Sequence, residues 1–229
     1  MAHYIGDDCP GGHHDQMVPA DPIPKQLLDK YDRLEKEYQK LKAEQNGHAV
    51  PDCAEDLLVV HAGLDMTSDH GRDTPKRFLN MLDDLTSHKN CNGDCIKWKV
   101  FESKADEMVV VKQIPFVSVC NHHVIPFIGH AWVGYVPDGE VVGLSKFARV
   151  VTHFARRLQV QEELTNDVHS FIDATLAPKG LVVRLEAEHL CMTIRGAQAP
   201  GVTTVTTKTS GVFADHTRTA KMEFLEAIR

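Results

Sequence analysis

Two short clusters of cysteine and histidine constrain this chain more than any other feature of its sequence. Cys120-Asn121-His122-His123 and Glu188-His189-Leu190-Cys191 stand about seventy residues apart, and both look like the ends of strands. Together they offer two thiolates and three imidazoles, enough for a zinc site that keeps one coordination position open for water. Ordinary buried thiols and imidazoles are the alternative, which is favoured for a lone residue but not for five candidates in two clusters. The sequence therefore predicts a single metal site built from both segments.

Composition limits the class of protein. With 229 residues, of which 42% are hydrophobic, the chain can bury a substantial core in one domain. No apolar run approaches the ~20 residues of a membrane span, and the first residues do not resemble a signal peptide, so we expect a cytoplasmic protein. The six cysteines then indicate metal and thiol chemistry rather than a disulfide framework. A formal charge of −7 argues against a nucleic-acid surface but allows a local basic pocket for a phosphorylated small molecule.

The first part of the chain divides into a tail and a helical region. Residues 1–22 are rich in Gly, Pro, Asp and His without periodicity, which predicts a flexible tail. A metal site at Cys9, His13 and His14 is the alternative to a plain polar tail there. Residues 23–86 are predicted to be helical, beginning with an amphipathic helix from Pro24 to Glu44. Its apolar stripe needs a partner, such as its copy in another subunit.

Two further helices and a break follow. Pro51 and Asp52 begin one helix that Gly63 stops, and Asp73-Thr74-Pro75 combines a capping residue with a proline at the first helical position to open the next. The segment from Ser87 to Asp94 ends that helix. Cys91-Asn92-Gly93-Asp94-Cys95 is compatible with half of a zinc knuckle, but no second pair of cysteines at matching spacing is nearby. A solvent loop is the preferred interpretation.

Residues 87–229 carry the pattern of an α+β domain. Alternating or β-branched runs separated by Gly, Pro and Asp turns predict strands at Met108–Val111, Ile114–Val119, Ala131–Val136, Leu181–Ala187 and Thr203–Thr207. Two helices interrupt them. The first is predicted to be capped by Ser145 and to bury residues as far as Leu158, and Pro178-Lys179-Gly180 ends the second. The order of strands, then helices, then strands indicates an α+β fold with a mostly antiparallel sheet.

Four motifs in one order resemble a known family. They are Cys120-Asn121-His122-His123, Gly143-Leu144-Ser145-Lys146-Phe147-Ala148-Arg149, Arg157-Leu158-Gln159-Val160-Gln161-Glu162 and His189-Leu190-Cys191-Met192-Thr193-Ile194-Arg195-Gly196. In this order and spacing they resemble GTP cyclohydrolase I, with Thr74-Pro75-Lys76-Arg77 matching an upstream element and residues 213–229 the C-terminal helix. The resemblance spans residues 55–229. It implies a tunnelling fold, in which a four-stranded antiparallel sheet with two helices on one face joins the sheets of neighbouring subunits into a barrel. It also implies a homo-oligomer, expected to be a decamer, with active sites between subunits.

The resemblance also implies roles for individual residues. Zinc would be held by Cys120, His123 and Cys191, and protons would be transferred by His122 and His189. Glu162 would bind the guanine ring, and Lys146, Arg149 and Arg195 would bind the triphosphate with Ser145 beside them. Gln161 is also expected to bind substrate. Without the resemblance, Lys146 and Arg149 would be interpreted as a solvated helix face and Arg195 as a surface charge. Glu162 would be interpreted as a favourable charge at a helix start. No such role is implied for Arg156 or Arg157.

The chemistry implied is hydrolysis of GTP to formate and 7,8-dihydroneopterin triphosphate. Opening the purine ring needs a nucleophile at C8 and an imidazole that donates and recovers a proton, and closing the pterin ring needs further proton shuttles. A carboxylate accepts two hydrogen bonds from the N1 and N2 donors of guanine and finds no such pair on adenine. Folate, biopterin and 7-deazaguanine routes all begin with this product.

One residue departs from the family pattern. Where the family has glutamate between the cysteine and the histidine pair, this chain has Asn121, which removes a negative charge beside the zinc and the substrate's sugar. Because ligands and proton-transfer histidines are intact, we expect retained chemistry with an altered rate or nucleotide preference. A non-catalytic protein that binds zinc and guanine nucleotide is the alternative from another class.

Overall fold

The computed structural model describes residues 54–214 and 219–229, apart from the side chain of Asp56. The described residues belong to two compact units, whose boundary lies between Asp83 and Asp84. The predicted tail at 1–22, the metal alternative within it and the amphipathic helix from Pro24 to Glu44 lie outside the described residues. Among those that are described, no helix has both the length and the apolarity needed to cross a membrane.

Two helices make up the described part of the first unit. Helix α1 spans Ala54–Ala62, and Gly63, with φ of +67°, ends it where the prediction placed its stop. Helix α2 spans Thr74–Leu85, as the Thr74-Pro75 signal predicted, and its last two residues belong to the second unit. The Asp73 carboxylate accepts a hydrogen bond from Arg77 at 3.5 Å on the exposed side of the first turn.

The second unit is built on a five-stranded sheet. The strands are β2 (Val109–Cys120), β3 (Pro126–Val136), β5 (Leu158–Gln159), β6 (Gly180–His189) and β7 (Thr203–Gly211), in the spatial order β5-β2-β3-β6-β7. Four of them are antiparallel, as expected, and the two-residue β5 adds a parallel pairing to β2 that the sequence did not predict. A separate antiparallel pair joins β1 (Val100–Glu102) to β4 (Glu140–Val142).

The first two predicted strands are one strand with an irregularity. Apart from Met108, which precedes the strand, the predicted segments Met108–Val111 and Ile114–Val119 both fall in β2, where the register to β3 shifts between Val111 and Ile114. Gln113 lies inside the shift with φ of +56°, the left-handed conformation of a bulged residue. The extra residue changes which side chains face the core, and this explains why the sequence pattern reads as two segments.

Both long helices of this unit pack on one face of the sheet. Helix α3 (Ser145–Ala155) lies against β2, and α4 (Gln161–Leu176) lies against β6 and β7 and beside α3. Fully buried side chains such as Phe127, Phe147 and Ile172 fill the space between. Two expectations for α3 were wrong. Ser145 does not cap the helix but is its first residue, and Leu144 occupies the capping position without a side-chain hydrogen bond. Leu158 is not buried by α3, because the helix ends at Ala155 and Leu158 lies in β5.

The opposite face of the sheet is partly covered by the C-terminal helix. Helix α6 (Thr219–Ala227) buries Phe224 against Val182 and Phe213, which form a second, smaller core. The absence of a side chain at Gly134 makes room for the Phe224 ring. Between β6 and β7, the short helix α5 spans Leu190–Thr193.

Candidate active site

A tight turn after β2 presents the first cluster. The Cys120 N–H donates to the Ile125 carbonyl and the Val124 N–H to the Cys120 carbonyl, each at 2.9 Å. Val124 has φ of +55°, an uncommon conformation for a β-branched residue and therefore a strained point of the turn. His122 and His123 are exposed at the tip, and the Asn121 N–H donates to Gln159 in β5 at 3.1 Å.

Strand register brings the second cluster to this turn. Strand β3 begins directly after the turn, and its Phe127 pairs with His189, the last residue of β6. The chain then enters α5, which places Cys191 next to the turn. The Glu188 carboxylate accepts from the Thr193 hydroxyl at 2.9 Å and from the Gly201 N–H at 3.2 Å, and so fixes the segment that follows Cys191.

Three side chains converge as a metal-ligand set. The sulfurs of Cys120 and Cys191 and a ring nitrogen of His123 all lie within 4.8 Å of one another. Burial, and then the neighbouring Cys120, raise the pKa of the Cys191 thiol, while Arg195 acts in the opposite direction. A divalent cation would relieve the unfavourable closeness of two thiolates, and a Cys₂His donor set suits zinc with a fourth position for water. The donors present therefore fit the metal that the sequence predicted.

His189 has a fixed orientation beside this set. Its ring stacks on Phe127 at 4.7 Å with only 3° between the planes, and its Nε2 lies 2.9 Å from Gln161 Oε1. The amide nitrogen of Gln161 donates to the Thr204 carbonyl at 3.0 Å, so its oxygen faces the imidazole. His189 Nε2 therefore carries the proton and Nδ1 is the free acceptor. Burial lowers the pKa of His189, and the Glu162 charge opposes that shift.

This chain is similar to known proteins over most of its length. The sequence pattern of the GTP cyclohydrolase I family matches residues 52–229, most of the chain. The chain belongs to that family. It is 46% identical over 158 residues to "GTP cyclohydrolase 1 2" of Nostoc sp., covering 69% of this chain and 73% of that protein. It is 39% identical to "GTP cyclohydrolase 1" of Methylococcus capsulatus, covering 79% of this chain and 98% of that protein.

A third relative and one solved structure are also similar to this chain. "GTP cyclohydrolase 1" of Gloeobacter violaceus is 42% identical over 172 residues, covering 75% of this chain and 80% of that protein. An archaeosine synthase structure, QueF-Like in the apo form, has a TM-score of 0.38 and 23% identity, covering 48% of this chain and 97% of that one. The recognition of GTP cyclohydrolase I from its motifs is confirmed by the family match.

In this GTP cyclohydrolase I family member, the remaining predicted site residues fall into two sets, one near the cysteines and one on α3. Glu162 and Arg195 are exposed, and their charges act on His189 and Cys191 respectively, so both are near the cluster. Ser145, exposed, and Lys146 and Arg149, half-buried, follow one another on the first turns of α3. Lys146 and Arg149 give this end of α3 a positive charge, and Ser145 adds a hydroxyl. Their part in triphosphate binding stays a prediction.

Gln161 has a role that the sequence did not assign. Its side chain is only 1% exposed, and its amide bridges His189 to the backbone of β7 and, through Thr206 Oγ1 at 3.1 Å, to a β7 side chain. The side chain thus positions the imidazole, whereas substrate contact by this residue stays a prediction. Phe127, which the stacking holds against His189, was also missed, because nothing local marks which apolar residue of a strand faces an imidazole. The pairing of β3 with β6 is the signal that would have found it.

Proposed function

We propose that this protein is a GTP cyclohydrolase I that converts GTP and water to formate and 7,8-dihydroneopterin triphosphate. The observation that carries the proposal is the convergence of Cys120, His123 and Cys191 beside the oriented His189, in a chain that belongs to the family. Zinc bound by these three side chains would supply an activated water at neutral pH. Such hydrolases act on the C–N bonds of a cyclic amidine.

The histidines would move the protons. The hydrogen bond to Gln161 leaves Nδ1 of His189 as the acceptor, and burial lowers the pKa of His189, which favours the neutral imidazole that a general base requires. His122 lies on the exposed tip with Nδ1 3.6 Å from Cys120 Sγ, close to the ligand set without belonging to it. Two imidazoles with different surroundings suit a reaction that opens one ring and closes another.

Substrate recognition follows from charge and placement. Glu162 is exposed in the first turn of α4, one residue after the amide that holds His189, so a guanine ring bound there would lie beside the metal ligands. Lys146, Arg149 and Arg195 would balance the triphosphate, with Ser145 beside them. Because Lys146 and Arg149 lie on α3 and Arg195 follows α5, the proposal places the triphosphate between α3 and the segment after α5, within one subunit or between two.

The free edges of the sheet support an oligomer. Within the described residues, β7 pairs only with β6, and β2 has a partner on its other side only at Val119 and Cys120. Long unpaired edges are a liability that ring closure removes. We therefore propose the tunnelling fold's barrel of neighbouring subunits, expected as a decamer. A cytoplasmic location is part of the same proposal.

An assay with a nucleotide panel tests the function. Purified zinc-loaded protein is incubated with GTP, dGTP and ATP, and formate release and pterin fluorescence after oxidation are followed. We expect equimolar formate and pterin from GTP, no product from ATP, and loss of turnover and of the zinc held by Cys120, His123 and Cys191 in Cys191→Ala. A preference for dGTP would favour the altered-nucleotide alternative that Asn121 suggests. Tight binding of GTP with full zinc and no formate would overturn the proposal in favour of the non-catalytic alternative.

A further inference from the structure

A second group of metal-type ligands lies between the loop after α2 and helix α3. Cys91 Sγ is 3.3 Å from Cys95 Sγ, and Cys95 Sγ is 3.6 Å from Nδ1 of His153. All three donor atoms lie within 4.8 Å of one another. The sequence favoured a solvent loop because no second cysteine pair is nearby, but both cysteines are half-buried and the fold supplies a histidine from a distant helix instead.

The imidazole of this group is oriented like that of a metal ligand. His153 is 3% exposed, and its Nε2 lies 3.2 Å from the Cys91 carbonyl oxygen. A carbonyl only accepts, so Nε2 carries the proton and Nδ1 presents its lone pair towards Cys95 Sγ. Metal-binding histidines typically donate their outer N–H to a carbonyl or carboxylate in this way, which fixes both tautomer and ring direction.

The loop that carries the two cysteines is held in place from outside the group. Arg157 donates from Nε to the His88 carbonyl at 3.2 Å and from a terminal nitrogen to the Cys91 carbonyl, and it pairs with Asp167 at 3.1 Å. Between the cysteines, Gly93 has φ of +101°, and a side chain there would meet the Phe171 ring at 2.6 Å. The ligand positions are therefore set by packing and hydrogen bonds, as a preorganised site requires.

A second imidazole, that of His88, lies close to this group. Its ring centroid is 4.3 Å from that of His153, and its Nδ1 is buried without a hydrogen-bond partner among the described residues. A buried polar atom without a partner costs free energy, which an ion or an ordered water in this pocket would recover.

We propose that Cys91, Cys95 and His153 bind a second zinc ion, with a structural role. Two sulfurs and one nitrogen are donors that zinc prefers, and the fourth position is left for water or a further donor. The structure records Cys91 as a free thiol and Cys95 as disulfide-bonded, so the site belongs to the reduced chain, in which Cys95 supplies a thiolate. The ion ties the loop to α3. This inference does not depend on the proposed activity.

Zinc content tests the proposal in the full-length protein. The protein is purified under a thiol reductant without oxygen, and zinc per chain is measured by plasma mass spectrometry. We expect two zinc ions in the wild type, one in Cys191→Ala, one in Cys91→Ala, one in His153→Gln, and none when Cys191→Ala and Cys91→Ala are combined. His169→Gln is the matched control, because His169 is equally buried, on the neighbouring helix, and should keep both ions.

Cobalt provides a direct readout of the second site. Cys191→Ala protein loaded with Co²⁺ should show thiolate-to-cobalt charge transfer that disappears when Cys91→Ala is added, with circular dichroism confirming that both variants are folded. His153→Gln in the same background gives a second test if Cys91→Ala does not fold.

Three results would overturn the second site. One is a wild-type chain with a single zinc that Cys191→Ala removes completely. Another is unchanged zinc in both Cys91→Ala and His153→Gln. The third is a Cys95 that remains disulfide-bonded in the protein purified under reductant, as judged by intact mass and peptide mapping. Failure of the proposed function would look different, with two zinc ions present and no formate from GTP.

Discussion

Two side chains beside the candidate metal ligands are proposed to have distinct roles, His122 in proton transfer and Glu162 in guanine binding. His122 lies near Cys120 but does not belong to the group of candidate ligands. Glu162 is exposed on α4 and does not belong to that group either. Substituting them should separate chemistry from binding.

Replacing His122 should remove turnover but not binding. If His122 transfers protons, His122→Ala keeps its zinc and its affinity for GTP and loses kcat by about 10² to 10⁴, the usual contribution of general acid–base catalysis. His130→Ala, another exposed histidine on the same sheet, is the control and should react normally. Zinc content, GTP affinity and pterin formation are measured together. Wild-type turnover in His122→Ala would contradict the assignment.

Replacing Glu162 should weaken guanine binding. Glu162→Gln exchanges a charge-assisted pair of acceptors for an amide whose NH₂ confronts a donor of the base, so KM for GTP should rise by roughly tenfold or more. Glu163→Gln is the matched control on the same turn, since Glu163 Oε2 accepts from the Val160 N–H at 3.4 Å and faces its own helix. Normal binding and reaction of Glu162→Gln would show that another group reads the base.

Buried histidines should make stability depend on pH. Burial lowers the pKa of His169 below its usual 6.5, against the opposing charge of Asp173, and the pKa of His88 falls to about 4. Because the folded pKa values lie below the unfolded ones, the unfolded chain takes up these protons more readily. Stability is therefore complete above about pH 6.5 and declines as the pH falls. Urea unfolding across this range should show a shallower decline for His169→Gln, and an unchanged slope would refute the contribution.

At the scale of elements, the sheet is the framework on which the site depends. The pairing of β3 with β6 brings Phe127 beside His189, and α4 supplies Gln161 and Glu162 from the same turn. Helix α6 supports the sheet from the opposite face through Phe224. Contacts that set the spacing of these elements should therefore affect stability before they affect chemistry.

Filling the space at Gly134 should displace the C-terminal helix. A Cβ on Gly134 would lie 2.6 Å from the Phe224 ring and 3.0 Å from a Val182 methyl group. Overpacking of this kind costs about 1–3 kcal/mol, so Gly134→Ala should lower the thermal midpoint. Adding Phe224→Leu should restore part of the loss, because the two positions are in contact. Gly143→Ala is the control, since no atom lies within 4 Å of the added carbon. Equal midpoints for both glycine variants would contradict the packing argument.

For the whole molecule, we expect an oligomer. Two features support this: the open edges of β2 and β7, and an apolar patch on the sheet. Val117 and Ile128 are cross-strand partners and are 41% and 47% exposed, although both are large and hydrophobic. Apolar side chains on a sheet with free edges are typical of a surface that another subunit covers.

The protein should therefore sediment as an oligomer much larger than a dimer. Sedimentation velocity over a dilution series, with turnover measured on the same samples, tests this. We expect Val117→Lys combined with Ile128→Lys to shift the distribution to smaller species, while lysine at the exposed Glu226 of α6 should not. A stable monomer with full activity would refute the assembly.

The sequence alone determined the local elements and the family. Helix α2 begins at the predicted Thr74-Pro75 signal and α4 ends before Pro178-Lys179-Gly180, because caps, prolines and periodicity act within a few residues. The three metal ligands implied by the family resemblance, Cys120, His123 and Cys191, lie together in the structure, and their binding of zinc stays a prediction.

Only the tertiary structure decided which distant side chains meet. His153 joins Cys91 and Cys95, and Gln161 holds His189, through contacts across 58 and 28 residues of chain. The bulge at Gln113, which makes one strand of two predicted ones, likewise depends on its pairing with β3. Strand register and helix packing are set by burial summed over the whole domain, so no short window of sequence contains them.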